Sequence, residues 1–170
     1  MSSSERGLNR GKDFENVIRK CFERVPETAV ERLQDPTNGF VGVGNKSDFI
    51  VYHYPYQYYI ECKTIQEHRF PLRNLTFHQR TGMLSVSDTK GVVAGVICWY
   101  IPDDITIFMP IQIIEQYWQE GRKSIHVAND WHNDFIILKE RKKRIFFDYD
   151  MADFFKTCEA RGLGTKIYNI

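Results

Sequence analysis

Residues 47–64, SDFIVYHYPYQYYIECKT, hold two runs of β-branched and aromatic residues separated by Tyr54-Pro55, and both runs carry charge where a strand should be most apolar. Side chains alternate along a strand, so Tyr59, Glu61 and Lys63 share one face while Ile60 and Cys62 take the other. A hairpin symmetric about Tyr54-Pro55 pairs positions whose numbers sum to 109. Asp48 then stands opposite Glu61, with β-carbons about 5 Å apart. Two acids and a lysine converge. Like charges that close are unfavourable in a plain sheet, whereas a divalent cation between them makes the arrangement favourable. Mg²⁺ takes hard oxygen ligands, one or two carboxylates plus waters, and keeps both acids ionised. Such an ion acidifies a bound water and polarises a phosphate, and the Lys63 ammonium orients that water or offsets transition-state charge. The plainer reading is an edge-strand Glu-x-Lys pair in solvent, worth under ~1 kcal/mol. Against it stands the apolar, aromatic character of the hairpin, which belongs in the centre of a sheet.

Working outward, Phe14, Val17, Ile18, Cys21 and Phe22 recur at helical spacing and predict an amphipathic helix over 13–24, after a polar arm of about ten residues. Residues 25–46 are rich in Pro, Asn and Gly and predict turns around one short strand. After the hairpin, RFPLRN reads as a loop leading to a helix start at Thr76. A buried strand in 91–101, a strand in DITIFMP and a helix IQIIEQYWQE closed by Gly121 come next. DFIILKE and RIFFDYD predict a late hairpin around a basic cluster, and MADFFKTCEARG a last helix. The order implies an α/β or α+β fold with a central mixed sheet.

A 170-residue chain with 42% hydrophobic and 14% aromatic residues suits one domain, 1–170. Its apolar runs are shorter than the ~20 residues of a membrane span. MSSSERGLNRGKDFE lacks the apolar core of a signal peptide, so a cytoplasmic protein without a membrane partner is expected. Cys21, Cys62, Cys98 and Cys158 lie far apart without a CxxC pair, which argues against zinc or disulfides. A net charge of +1 gives no global pull toward nucleic acid, yet KERKKR at 139–144 places five cations in six residues.

Asp48, Glu61 and Lys63 resemble the D…(D/E)xK signature of the PD-(D/E)xK nucleases. RGKDFENVI at 10–18, SDFIVY at 47–52, YYIECKT at 58–64, FPLRNLTFHQ at 70–79 and GRKSI at 121–125 narrow the resemblance to RecU-type Holliday junction resolvases, phage relatives included. The resemblance implies a restriction-endonuclease-like α/β core, a central mixed sheet flanked by helices. It also implies a homodimeric endodeoxyribonuclease that resolves four-way DNA junctions by paired nicks, using Mg²⁺ with Mn²⁺ as a substitute. Asp48 and Glu61 would bind the metal with help from Ser47 and Gln79, and Lys63 would be the catalytic lysine. The family's cellular members carry a longer insertion before the first acid, a stalk that enters the junction. Here only RLQDPTNGFVGVGNK precedes the acid. Its glycines, with Phe40 and Val41, make residues 34–46 either a shortened stalk or a plain surface loop.

Glu15 is a further metal-site candidate or a helix N-terminal acid favoured by the dipole. Arg6, Arg10, Lys12, Arg122, Lys123, Arg141, Lys142, Lys143 and Arg144 are candidate phosphate contacts. The five histidines lack zinc spacing, and Trp118 reads as core or dimer contact rather than a base platform. The alternatives are a restriction- or repair-type nuclease on the same fold and a non-catalytic branched-DNA-binding protein.

Overall fold

The computed structural model describes residues 10–34, 44–143 and 147–168. A six-stranded sheet runs through the centre in the order β1 (Thr28–Arg32), β2 (Phe49–His53), β3 (Tyr56–Ile65), β5 (Val92–Tyr100), β6 (Ile105–Pro110), β8 (Ile136–Ile137). Only β3 and β5 pair in parallel; the other neighbours are antiparallel, so the sheet is mixed. The helix α2 (Phe77–Ser87) lies in the crossover between the parallel strands, as a parallel connection requires. Strand β5, VVAGVICWY, is buried along nearly its whole length, which fits a strand covered on both faces.

Two apolar layers sandwich the sheet. On one face α1 (Arg10–Glu23) and α4 (Met151–Ala160) pack Phe14, Ile18, Phe22, Phe154 and Phe155 against Val51, Tyr58 and Ile60. On the other, Met83 of α2 and Ile113 and Ile114 of α3 (Ile111–Gln119) pack against Val96, Cys98 and Met109. The alternation read in β3 is therefore real: Tyr58 and Ile60 face the first core and Tyr59 borders the second. The four cysteines are free thiols.

Two sequence expectations are corrected. The stretch read as a loop before Thr76 contains β4 (Arg69–Pro71), which pairs with β7 (Ser124–His126), and a 3-10 turn at Leu72–Asn74. Phe70 is buried there among residues of the second core, a long-range partner that local composition does not announce. The expected hairpin of 134–140 with 144–150 is also displaced. Ile136–Ile137 instead completes the main sheet against β6, and the hairpin is β9 (Glu140–Lys142) with β10 (Phe147–Tyr149). The basic cluster thus forms an arm of the hairpin, not only its turn.

The arm before Arg10, with Arg6, lies outside the described residues, as do 35–43 of the glycine-rich passage, Arg144 and the following two residues. No described helix is long and apolar enough to cross a membrane.

Candidate active site

The β2–β3 register runs from Phe49↔Ile60 to His53↔Tyr56, the pairing expected from symmetry about Tyr54-Pro55. Asp48 stands one residue before the first pair, its N–H donating to Ile60 O at 3.0 Å while its carbonyl accepts from Leu33 N at 2.9 Å. Those two bonds tie it between β1 and β3. Its carboxylate Oδ2 accepts from Cys62 N–H at 2.8 Å. Glu61 lies in β3, flanked by β2 and β5, and is only 2% exposed.

Glu61 Oε1 accepts from Lys63 Nζ and from Gln79 Nε2, each at 2.7 Å. Oε2 is buried and has no hydrogen-bond partner among the described residues. Such an atom forfeits hydration without return unless something else reaches it. Burial pushes the carboxyls of Glu61 and Asp48 above the ordinary carboxylate range. For Glu61 the neighbouring Asp48 charge adds to burial; for Asp48 the Cys62 N–H opposes it and Glu15 adds to it. The Lys63 ammonium, near both, does not offset the desolvation.

The grip of Gln79 on Glu61 comes from a capping box. Thr76 Oγ1 accepts from Gln79 N–H and the Gln79 amide oxygen accepts from Thr76 N–H, at 3.2 and 3.1 Å. With its oxygen held by the helix start, the Gln79 amide has its NH₂ free to reach Glu61. Ser47 is buried, and its hydroxyl donates to Phe49 O at 3.0 Å.

Asp48, Glu61, Ser47, Gln79, Glu15 and Arg32 stand in the wall of an open cavity of about 540 Å³; Lys63 is not in that wall but is bound to Glu61, which is. Glu15 reaches it from α1, held by Arg32 at 2.7 Å. Among the described residues no three His, Cys, Asp or Glu side chains already converge as a metal cage. Two carboxylates beside open volume suit a cation that keeps several waters better than one that needs a closed protein cage.

A family model described as recombination protein U matches residues 30–151, more than two thirds of the chain. The chain belongs to the RecU family. Its members are Holliday junction resolvases, which are endonucleases. The matched span holds Asp48, Glu61, Lys63 and Gln79, whereas Glu15 precedes it and rests on geometry alone. Among solved structures, the fold is similar to Archaeoglobus fulgidus Hjc, a Holliday junction resolvase from an archaeal hyperthermophile, at 18% identity and a TM-score of 0.46, over 69% of this chain and 85% of that one. No curated protein sequence matches the chain.

Of the cations expected to hold DNA, none that lies among the described residues lines the cavity. Arg10 and Lys12 stand exposed on the first turn of α1 rather than in a free arm. Arg122 is engaged by Glu120 at 2.8 Å and Asp130 at 2.9 Å and lies over Tyr117; Lys123 beside it is exposed. Arg141 and Lys142 lie on β9, Lys142 pairing with Asp104 at 3.4 Å, and Lys143 reaches Asp148 at 3.5 Å. Arg32 was not among the sequence candidates. Its place follows from Arg32↔Phe49, the β1–β2 register, which sets it beside the strand start that carries Asp48. Sequence patterning predicted a short strand there without a partner or register. Trp118 is 39% exposed with the Arg80 guanidinium 4.7 Å over its ring, so it is not core.

Proposed function

We propose that this RecU-family chain is a divalent-metal-dependent endodeoxyribonuclease that resolves four-way DNA junctions by paired nicks as a homodimer. The observation that carries the reading is the buried Glu61 Oε2 beside Asp48, without a hydrogen-bond partner among the described residues and inside the span that the family model matches. Asp48 and Glu61 are the residues to hold Mg²⁺, or Mn²⁺ in its stead, with Glu15 completing the acidic wall. When bound, the ion lowers the pKa of a water and draws electron density from the scissile phosphate. The chain's own groups do the remaining work. Gln79 fixes the orientation of Glu61, and Ser47 fixes the turn into β2 that presents Asp48. Lys63 is the cation that meets the extra negative charge on the phosphate as water attacks phosphorus and a P–O bond breaks. Its bond to Glu61 holds the ammonium at the site before DNA arrives.

Two equal sites related by a two-fold axis suit a substrate with paired strands to be cut. Exposed Phe77, Trp118 and Trp131 leave aromatic surface beyond what the core uses, in keeping with a partner copy. Arg10, Lys12, Lys123 and the β9 cations supply phosphate contacts away from the reacting atoms. The cytoplasmic location expected from the sequence is in keeping with work on DNA.

The deciding assay incubates purified protein with labelled four-way, flap and linear duplex DNA in Mg²⁺, Mn²⁺ or EDTA. Symmetric nicks in the four-way junction, absent in EDTA, are expected. Sequence-dependent cutting of linear duplex would instead indicate a restriction-type activity. Junction binding without cutting under every condition would leave a binding protein.

A further inference from the structure

We propose that α2 sets the spacing between Asp48 and Glu61, and that Gly82 is a positioning residue that lets the segment before Asp48 lie against that helix. The proposal rests on the metal-dependent nuclease reading above. Gly82 stands inside α2 (Phe77–Ser87), where alanine is the better helix former, so its presence calls for a reason. A β-carbon at Gly82 would lie 2.6 Å from Lys46 Cγ, 3.1 Å from Lys46 Cβ and 3.4 Å from Lys46 Cα. The first distance is a collision, and the second lies close to a carbon bonded directly to the backbone. One turn earlier on the same helix face, His78 Cβ lies 3.5 Å from where a β-carbon on Gly44 would be. Residues 44–46 therefore run along the face made by His78 and Gly82.

Asp48 follows two residues later. Between them Ser47 is buried and its hydroxyl is bound to Phe49 O, so little slack separates Lys46 from the carboxylate. The same helix reaches the other acid through Gln79, whose amide is fixed by the capping box and holds Glu61 Oε1 at 2.7 Å. One rigid element thus bears on both acids, on Glu61 directly by a hydrogen bond and on Asp48 indirectly, through the chain seated in the glycine notch two residues before it. The stem of exposed Lys46 covers that notch, as long cationic side chains do over apolar surface.

The test compares the wild type with Gly82→Ala, Lys46→Ala, and the double variants Lys46→Ala/Gly82→Ala and Lys46→Gly/Gly82→Ala. Three quantities are read: thermal unfolding in EDTA, Mn²⁺ binding without DNA from the electron paramagnetic resonance of free Mn²⁺, and junction cleavage against Mg²⁺ concentration. Gly82→Ala is expected to fold, to bind Mn²⁺ about tenfold more weakly, and to need correspondingly more Mg²⁺ for half-maximal cleavage. Lys46→Ala alone stays within about threefold of wild type, because it removes Cγ without adding a contact. Lys46→Gly/Gly82→Ala, which removes both crowded carbons, recovers Mn²⁺ affinity and cleavage to within about threefold, and Lys46→Ala/Gly82→Ala falls between. The proposal is overturned if Gly82→Ala matches the wild type in both readouts, or if the glycine double variant is no better than Gly82→Ala, folded or not. Wild-type protein that neither binds Mn²⁺ nor cuts a junction overturns the nuclease reading itself.

Discussion

Glu61 is a carboxyl held where a charge is hard to keep, with one oxygen bonded twice and the other without a partner among the described residues. Burial and the Asp48 charge raise its pKa from 4.5 to about 7. Between those values the folded protein holds a proton that the unfolded chain has released, so metal-free stability falls as pH rises through that window. Glu61→Gln, a neutral stand-in, is expected to be more stable than wild type at pH 8 in EDTA, by on the order of 2 kcal/mol, and indistinguishable near pH 4. Thermal melts at the two pH values check it; equal melting at pH 8 contradicts it. The same variant, like Asp48→Asn, is expected to lose junction cleavage by more than about 100-fold while still binding junctions in EDTA, since each removes an anionic ligand without changing shape. Near wild-type cutting by either would put the reacting centre elsewhere. Metal affinity should rise over the same pH window, because the ion binds the ionised pair; Mn²⁺ titrations at pH 6 and 8 measure it.

At the scale of elements, α2 does more than fill the crossover between β3 and β5. Thr76 begins the helix, Gln79 closes the capping box, and the amide so fixed reaches across to β3. Thr76→Ala is expected to lose about 1 kcal/mol of stability. It should also weaken Mn²⁺ binding, because the first turn loses the Oγ1 that accepts from Gln79 N–H and so holds the Thr76 N–H less firmly against the Gln79 amide oxygen, whereas Thr76→Ser keeps both. Chemical denaturation and Mn²⁺ binding measured on the same preparations separate the two effects. A stability loss with unaltered Mn²⁺ affinity would show the cap to be purely structural. The hairpin β2–β3 has the complementary role: its register puts Asp48 beside Glu61, and the parallel pairing of β3 with β5 buries Glu61 in the middle of the sheet.

For the whole molecule, the tail after α4 returns to the body. Lys166 Nζ donates to both oxygens of Asp134, at 2.7 and 2.8 Å, and Tyr168 Oη donates to Oδ2 at 2.8 Å. Burial raises the Asp134 pKa, but these bonds outweigh it and hold the group below 3.8. Its stabilising contribution is therefore present above that value and fades as pH falls below it. Removing residues 166–170 takes both partners from the Asp134 carboxylate, and with them part of its cover, and is expected to destabilise the protein by about 1.5 kcal/mol at pH 7. Denaturant titration of the truncated chain, with and without Asp134→Asn, tests this: the second change should recover part of the loss. The homodimer is tested by light scattering, with about 40 kDa expected, twice the 20.1 kDa chain.

Much of the site was legible in the order of residues. The alternation in YYIECKT put Glu61 and Lys63 on one face, and the symmetry about Tyr54-Pro55 put Asp48 beside them, because strand period and hairpin register are local rules. Thr76 and Gln79 signalled a helix start for the same reason. What local rules lack is the partner of a short segment. Nothing in TAVER named β2 as its neighbour, so Arg32 and its bond to Glu15 emerged only with the fold. RFP and SIH found each other across the molecule, and two isoleucines left an expected hairpin to finish the main sheet, since burial against distant elements outweighs weak local preference in strands of two or three residues. The sequence by itself determined that Asp48, Glu61 and Lys63 come together, the central mixed sheet and the family. Tertiary structure alone decided the desolvation of Glu61, the burial of its Oε2 and the seating of Lys46 on Gly82, because each depends on atoms brought together from separate elements.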